Sequence, residues 1–364
     1  MKKNSLIGAA AFLMILFLLQ GCGFSGEDAS EKMDAPPEEG ISEVEWEPLD
    51  GEGDSQQENK EKGNDAGEAD EKAAENTVER ELYLINEDGL VVPHTFSLPK
   101  DKAVLKQSLE YLVADGPLTQ MLPNGFQAVL PPGTEIDVHL TEEGTAIADF
   151  SPEFRDYDPK HEQAILEAVT WTLTQFENVN EVEIQINGYE QETMPANNTP
   201  IGKAYSRANG INLESGNVSD MTNSDSVTVY FLSQTENDTY FVPVTRRVNN
   251  EKEKEPLDAA VEELIKGPAA DSPLHGVFRE GAALHDAASI KDETASLVFN
   301  EAILTEKEGT AVAEDVVHAV TLTATEVSGV ENVSLSVNGL EDALEVSGNP
   351  IDKPLVRPAS VNPE

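Results

Sequence analysis

The residue types that carry out most enzyme chemistry are present, but none stands in a catalytic spacing. The chain has six histidines, and none forms a His-Glu-x-x-His pattern or adjoins the single cysteine. Neither a Gly-x-Ser-x-Gly nucleophile motif nor a phosphate-binding glycine loop occurs. His275, His285 and Asp286 could together hold a metal, although we interpret them as loop and surface residues. We therefore predict no catalytic residue, no metal site and no cofactor, and we do not expect an enzyme.

Carboxylates are too abundant for any close pair of them to identify a site. The 364 residues include 69 Asp and Glu against 24 Lys and Arg, a formal net charge of −45. This charge argues against a nucleic-acid partner, because phosphates must be met by clustered basic side chains. Glu153, Asp156 and Asp158 could bind calcium, but the twelve-residue ligand pattern is missing. We interpret Asp158 as a helix N-cap instead.

The single cysteine follows a short apolar segment at the N-terminus. Residues 6–19 are uncharged and follow two lysines. This stretch is shorter than the roughly 20 residues that cross a bilayer, but it suits the apolar region of a secretory signal. The residues that come next resemble a bacterial lipobox, in which the cysteine is joined to lipid and the chain is cleaved before it: Leu19, Gln20, Gly21 and Cys22.

These features predict a lipoprotein signal peptide at residues 1–21 and a lipid attached to Cys22. A plain signal peptide or an uncleaved anchor is the alternative. The acyl chains of a bacterial lipoprotein hold it firmly at a membrane, so we expect a tethered protein on the extracytoplasmic face of the cytoplasmic membrane. The rest of residues 22–80 is acidic and poor in apolar residues, which predicts a disordered spacer.

The remaining chain contains the same sequence pattern twice, about 150 residues apart. Residues 168–190 align without a gap with residues 319–341. A repeat of this length predicts two domains and not a solenoid, at residues 81–214 and 226–364 with a linker at 215–225. Each copy ends with the same residues at one spacing: Pro200, Ile201, Lys203, Arg207, Asn212 and Glu214 match Pro350, Ile351, Lys353, Arg357, Asn362 and Glu364.

Each copy is predicted to be an α+β domain with the approximate order ββαββαβ. Short apolar runs on both sides of Gly89 and of Gly144 predict two hairpins. Apolar residues at helical spacing, closed by Gly-Pro, predict a first helix in each copy. A second helix is predicted after Asp158, and its gapless match at residues 313–327 is predicted to be helical too.

Two short features recur in both copies. Alternating strands end at Asn187-Gly188 and at Asn338-Gly339, a residue pair that predicts type I′ turns. The repeated basic residues Lys203, Arg207, Lys353 and Arg357 could contact an anionic partner. We favour a structural role, in which each Arg ties the last segment of its domain to that domain's own carboxylates.

The lipobox-like start, the acidic spacer and two copies that share an Asn-Gly-x-Glu turn and a Pro-Ile-x-Lys…Arg…Asn ending resemble the GerM family of sporulation and germination lipoproteins. The repeated unit of that family is the GerMN domain, and the resemblance covers nearly the whole chain. It implies a fold similar to the ring-building modules of the transenvelope complex between mother cell and forespore. It also implies location at the outer forespore membrane, protein partners in that complex and a capacity to form oligomers.

Three functions remain open from the sequence, the last of them a wall-active hydrolase, which would need a buried His or paired carboxylates with perturbed pKa in a cleft. The first is non-enzymatic docking on, or stabilisation of, an extracytoplasmic complex, because a tether raises the local concentration of paired binding modules. The second is a ligand-binding sensory accessory that modulates a receptor or kinase, which a deep apolar pocket between the domains would favour.

Overall fold

The computed structural model describes residues 76–214, 224–235, 238–249, 255–306, 309–340 and 343–363. They belong to one compact unit, Gly63–Glu364. The predicted signal peptide, the lipobox residues, Cys22 and residues 22–75 of the predicted spacer lie outside the described residues. No helix in the described ranges is both long and apolar enough to cross a membrane.

The first domain contains a hairpin with a short third strand, a four-stranded sheet and two α-helices. The hairpin strands are antiparallel, and the sheet has the order β4-β5-β6-β7, with β5 and β6 parallel. In chain order the elements are β1 (Thr77–Asn86), β2 (Val91–Pro99), α1 (Val104–Glu110), β3 (Phe126–Gln127), β4 (Ile136–Leu140), β5 (Thr145–Phe150), α2 (Glu162–Leu173), β6 (Glu181–Ile186) and β7 (Tyr189–Glu190).

The second domain repeats this plan. A two-stranded hairpin, β8-β9, accompanies a sheet of order β10-β11-β13-β15 and a small parallel pair, β12-β14. In chain order the elements are β8 (Ser224–Gln234), β9 (Thr239–Asn249), α3 (Pro256–Lys266), β10 (Ser289–Lys291), β11 (Thr294–Phe299), β12 (Ala311–Val312), α4 (Glu314–Thr325), β13 (Asn332–Val337), β14 (Leu344–Glu345) and β15 (Leu355–Val356).

The architecture confirms the predicted α+β fold and the order of its main elements, while some boundaries differ. β1 begins at Thr77, four residues before the predicted domain start at residue 81, because Thr77 and Val78 pair with the far end of β2. β8 begins at Ser224, inside the predicted linker 215–225, because Ser224 pairs with Asn249. In both cases polar residues at a strand end resemble linker sequence.

The two Asn-Gly turns are not alike. Asn187 and Gly188 have φ of 54° and 77°, and β6 and β7 pair on either side of them, as a type I′ turn requires. In the second copy only Gly339 has a positive φ, of 79°, and the amide of Leu340 donates to the carbonyl of Val337. The prediction of a second type I′ turn was therefore wrong, because this turn requires a positive φ at both central residues and Asn338 does not have one.

The second helix of each copy packs on its hairpin through the same contact. Thr172 Oγ1 accepts a hydrogen bond from the amide of Tyr83 at 3.1 Å, and Thr323 Oγ1 accepts one from the amide of Tyr230 at 3.1 Å. Both tyrosines are fully buried. These bonds identify Tyr83 and Tyr230 as equivalent residues of the two hairpins.

The last segment of each domain bonds to the hairpin of the other domain. Ile211 and Thr245 exchange two hydrogen bonds, from the amide of Ile211 to Thr245 Oγ1 and from the amide of Thr245 to the carbonyl of Ile211. Val361 and Thr95 make the equivalent contact, with the Thr95 hydroxyl bonded to the backbone of Val361. The terminal segment of each domain therefore contacts the other domain, and we call these reciprocal contacts the exchange of terminal segments.

Asn212 and Asn362 complete this exchange with matching hydrogen bonds. Asn212 bonds to both backbone groups of Val91 in its own domain and donates to the carbonyl of Pro243 in the other, at 2.7 to 2.8 Å. Asn362 does the same with Phe241 and Pro93, at 2.7 to 2.8 Å. Both asparagines have a positive φ, 46° and 52°, which Asn tolerates better than most residues. We call this pair and its six hydrogen bonds the asparagine clamp.

We predict that Asn212→Ala destabilises the tandem domains by about 3 kcal/mol, because three buried backbone groups lose their partners. Urea denaturation of the fragment Gly63–Glu364 measures the free energy of unfolding. Asn198→Ala is the matched control, since Asn198 is exposed and also has a positive φ, of 58°. The control should cost only about 1 kcal/mol of backbone strain. Equal losses in the two variants would show that the clamp bonds contribute nothing.

Candidate functional site

The described residues contain no group of three or more metal-ligating side chains placed to hold an ion. His275 lies in a backbone bridge with Leu232, and the amide of His285 bonds to the carbonyl of Val298. Asp158 accepts a hydrogen bond from the amide of Lys160 at 3.1 Å and so caps the 3₁₀ turn Pro159–His161, which leads into α2. The remaining candidates for chemistry among the described residues are buried ionisable side chains.

Glu326 lies between Arg207 and Arg357. Its carboxylate is 3.4 Å from Arg207 and 3.0 Å from Arg357, and its side chain is 12% exposed. Burial by itself would raise the pKa of Glu326, but the two guanidinium groups outweigh it and lower the pKa below its ordinary value. Arg357 also donates to the hydroxyl of Tyr230 at 2.8 Å. The cluster therefore joins the ends of both repeats.

Arg207 reaches a carboxylate of the second domain, whereas the sequence suggested one of its own domain. Its guanidinium lies 4.2 Å from the ring centre of Trp171 and bonds to the hydroxyl of Thr174. The residue of the first copy that matches Glu326 is Gln175, whose amide bonds to the backbone of Glu81. Only the second copy supplies the carboxylate, so one acid serves both arginines.

Glu162 is held by neutral donors. Its carboxylate, in a residue that is 1% exposed, accepts hydrogen bonds from the amides of Ala196, Asn197 and Thr199 and from the hydroxyls of Thr199 and Tyr157, at 2.6 to 3.1 Å. Burial opposes ionisation, but these donors lower the pKa of Glu162 to about 2. Glu162 thus fixes the loop before Pro200 and has no free oxygen for chemistry.

Glu167 supports the asparagine clamp. Burial raises the pKa of this carboxyl group, and hydrogen bonds from the Asn212 amide and from Gln163 partly offset the effect. The position that matches Glu167 in the second copy is occupied by His318, which is exposed. Glu326, Glu162 and Glu167 therefore all have structural partners.

The predicted repeat-signature residues lie at turns and at the ends of the domains. The amide of Gly188 donates to Asp149, and the amide of Asn187 donates to the carbonyl of Phe150. Pro200 and Pro350 are exposed, while Ile201 is 4% exposed and Ile351 is half-buried. Lys203 and Lys353 are exposed and form no ion pair with another described residue. The two lysines of the signature therefore do not join its two arginines at Glu326.

The outer faces of the two four-stranded sheets differ in charge. Pairing in the second domain places Ser296 opposite Ser334 and Val298 opposite Ser336, and pairing in the first places Asp137 opposite Asp149 and Ile147 opposite Glu183. The outward residues of the second sheet are uncharged apart from one lysine: Ser289, Lys291, Thr294, Ser296, Val298, Asn332, Ser334, Ser336 and Val356. We call this surface the serine face.

An apolar cavity of about 420 Å³ lies between the two domains. The first domain contributes His94 and Phe126, and the second contributes Tyr240, Phe241 and Leu322. Asn362 of the clamp also lines it. The cavity therefore lies where the clamp joins the two hairpins.

Sequence reasoning missed three features of this site. The sequence did hold a sign of the clamp, because the same residue, Asn212 or Asn362, stands at the same position near the end of each repeat. Glu326 could have been noticed as the acid that replaces Gln175. His94 carries no signal in the sequence, since it lies in a strand that reads as ordinary core.

Three comparisons with known proteins agree. A family model described as sporulation and spore germination, Germane, matches residues 81–192 and 228–343, one match in each repeat. The spore germination protein GerM of Bacillus subtilis (strain 168) is 40% identical over 365 residues, which cover 100% of this chain and 99% of the relative. The solved structure of the tandem GerMN domains of the sporulation protein GerM from Bacillus subtilis is similar with a TM-score of 0.73 and 45% identity, over 79% of this chain and 100% of that one.

We predict that Glu162→Gln removes a pH-dependent part of the stability. The folded pKa of about 2 lies below the ordinary 4.5, so this contribution is complete above pH 4.5 and is lost as the pH falls toward 2. The difference in free energy of unfolding between wild type and variant should shrink by about 2 kcal/mol from pH 7 to pH 3. Urea denaturation at both pH values measures it, and a constant difference would contradict the assignment.

Proposed function

Because the chain belongs to the Germane family of sporulation and spore germination proteins, we propose that its tandem GerMN domains act without catalysis, by docking on or stabilising an extracytoplasmic complex between mother cell and forespore. The homologous protein is named as a spore germination protein, and the family model that matches is described as sporulation and spore germination. The reciprocal exchange of terminal segments supports a docking role, since it presents two modules to a partner in one fixed arrangement.

The serine face is the observation that supports this proposal best. A chain with a formal net charge of −45 repels acidic partners over most of its surface, and the serine face is a flat area without carboxylates. Val356 on this face is 64% exposed. Small hydroxyl side chains with scattered valines permit close packing of a helix or a second sheet, and charged residues are depleted at the centres of protein interfaces.

Comparison of the repeats strengthens this assignment. Ser334 and Ser336 of the second domain match Glu183 and Gln185 of the first, at the same register in the sheet. The fold therefore accepts a carboxylate at this position. The second domain could therefore fold with a carboxylate at this position. That it has a serine there instead favours a role in binding.

The N-terminal features add a tether to the proposal. A lipid on Cys22 would hold the protein on the extracytoplasmic face of the cytoplasmic membrane, in particular the outer forespore membrane. A flexible segment of 50 to 60 residues has an r.m.s. span of roughly 40 Å. The docking domains would then search a thin layer next to the membrane, which raises their effective concentration near a membrane-bound partner.

A ligand-binding sensory role is the second candidate. It is favoured by one observation, the apolar cavity between the domains. The two roles are compatible, because the serine face and the cavity use different residues.

We predict that Ser334→Glu disrupts docking. A carboxylate at the centre of a packed interface, left without a partner, costs several kcal/mol. Partners crosslinked to this protein in sporulating cells should therefore fall at least tenfold, and spore yield should fall with them. The level of the protein itself should not change, because Glu183 occupies the matching site in the first domain.

His139→Glu, at an exposed histidine on the outer face of β4, is the matched control, since it adds the same charge to the already acidic sheet of the first domain. It should leave partner recovery and spore yield unchanged. If Ser334→Glu has no effect, or if both variants lose partners equally, the serine face is not the docking surface.

A Cys22→Ala variant should lose its membrane attachment. We expect the wild-type chain in the membrane fraction and the variant in the soluble extracytoplasmic fraction, with metabolic labelling by a fatty acid seen only for the wild type. Unchanged membrane association together with equal labelling would rule out a lipid on Cys22.

A further inference from the structure

His94 is the one buried ionisable side chain among those described whose polar atoms find no partner. It is 6% exposed, and neither ring nitrogen forms a hydrogen bond within the described protein. Burial lowers the pKa of His94 to about 4, and the nearby backbone of Asn362 offsets the effect only in part. At neutral pH the ring is therefore uncharged, with one donor and one acceptor nitrogen unused. A buried polar group without a partner is costly.

The fold does not need a polar residue at this position. His94 pairs with Leu82, and the equivalent pair in the second hairpin is Val244 with Val229. Val244 is 1% exposed and lies in the apolar core. The same strand geometry is therefore stable with an aliphatic side chain, and the imidazole of His94 is left without a structural explanation.

His94 lines the interdomain cavity, and aromatic rings surround it. The ring of Phe126 meets it edge-on at 4.4 Å, and the ring of Tyr240 lies 6.0 Å away. The other buried polar groups of the wall have partners: the Tyr240 hydroxyl accepts from Asn86, and the Asn362 side chain is used by the clamp. The cavity thus combines apolar walls with the one unsatisfied imidazole.

We propose that this cavity is a binding site for a small, uncharged, mainly aromatic or aliphatic molecule that carries one hydrogen-bonding group, which pairs with His94. A volume of about 420 Å³ lies within the range of small-molecule pockets. An anion is disfavoured because Asp238 lines the cavity and, among the described residues, no Lys or Arg does. The ligand would touch both domains and the Asn362 segment, so its binding would stabilise their junction. This inference is independent of docking through the serine face.

The probe for the test is N-phenyl-1-naphthylamine, a neutral secondary amine with a phenyl and a naphthyl ring, which fluoresces in apolar sites. It is titrated into the fragment Gly63–Glu364, whose counterpart in the related protein has been solved as tandem domains alone. We expect saturable binding of one molecule per chain. 8-Anilinonaphthalene-1-sulfonate, which adds a sulfonate to the same rings, should bind at least tenfold more weakly.

Three variants locate the binding. His94→Phe should weaken the neutral probe about tenfold, the effect of one hydrogen bond, and should raise the midpoint of thermal unfolding of the unliganded protein. Ser360→Trp places a large side chain in the cavity wall and should abolish binding although His94 itself is unchanged. His139→Phe, at an exposed histidine of β4, is the control and should change neither property.

The proposal is overturned if the probe does not bind, or if it binds equally to wild type, His94→Phe and Ser360→Trp, since binding would then lie elsewhere. A fall in the unfolding midpoint of unliganded His94→Phe would also overturn it, because the imidazole would then be structural. Tighter binding of the sulfonate than of the neutral amine would contradict the stated ligand class.

Discussion

The structure depends on the asparagine clamp. Asn212 and Asn362 each bond to the backbone amide and carbonyl of one strand residue in their own domain. Each also bonds to one backbone carbonyl of the other domain. The residues that carry these backbone groups are buried apart from the half-buried Phe241. An unfilled bond would therefore be costly, and the bonds across the domain boundary favour the relative position described here. That position brings the ends of both repeats to Glu326, encloses the cavity beside His94 and fixes how the serine face is presented.

Duplication makes the two copies a control for one another. Residues that build the scaffold are the same or bond in the same way, such as Tyr83 with Thr172 and Tyr230 with Thr323. Positions that differ although the backbone is the same are candidates for function. Ser334 replaces a glutamate on the sheet, and His94 stands where the other copy has a buried valine. Both proposals rest on such differences, and neither requires catalytic residues.

Local signals in the sequence predicted the hairpins, the helices and the Asp158 cap correctly, because a hairpin or a cap is decided by neighbouring residues. The strands of two residues, β3, β7, β12, β14 and β15, are too short to show any period. The polar ends of β1 and β8 resembled linker sequence. The clamp could not be derived from spacing, since Asn212 lies 121 residues from Val91 and Asn362 lies 269 from Pro93. His94 was hidden for a similar reason, because its missing partners are a property of the tertiary structure.

The most direct test of the clamp is to measure residual dipolar couplings of backbone amides in the fragment Gly63–Glu364. If the exchanged segments lock the domains together, the couplings of residues 76–214 and 224–363 fit one alignment tensor and agree with the relative orientation of the hairpins described above. Two tensors of different magnitude would mean that the domains move independently. The shared cavity and the fixed presentation of the serine face would then be incorrect.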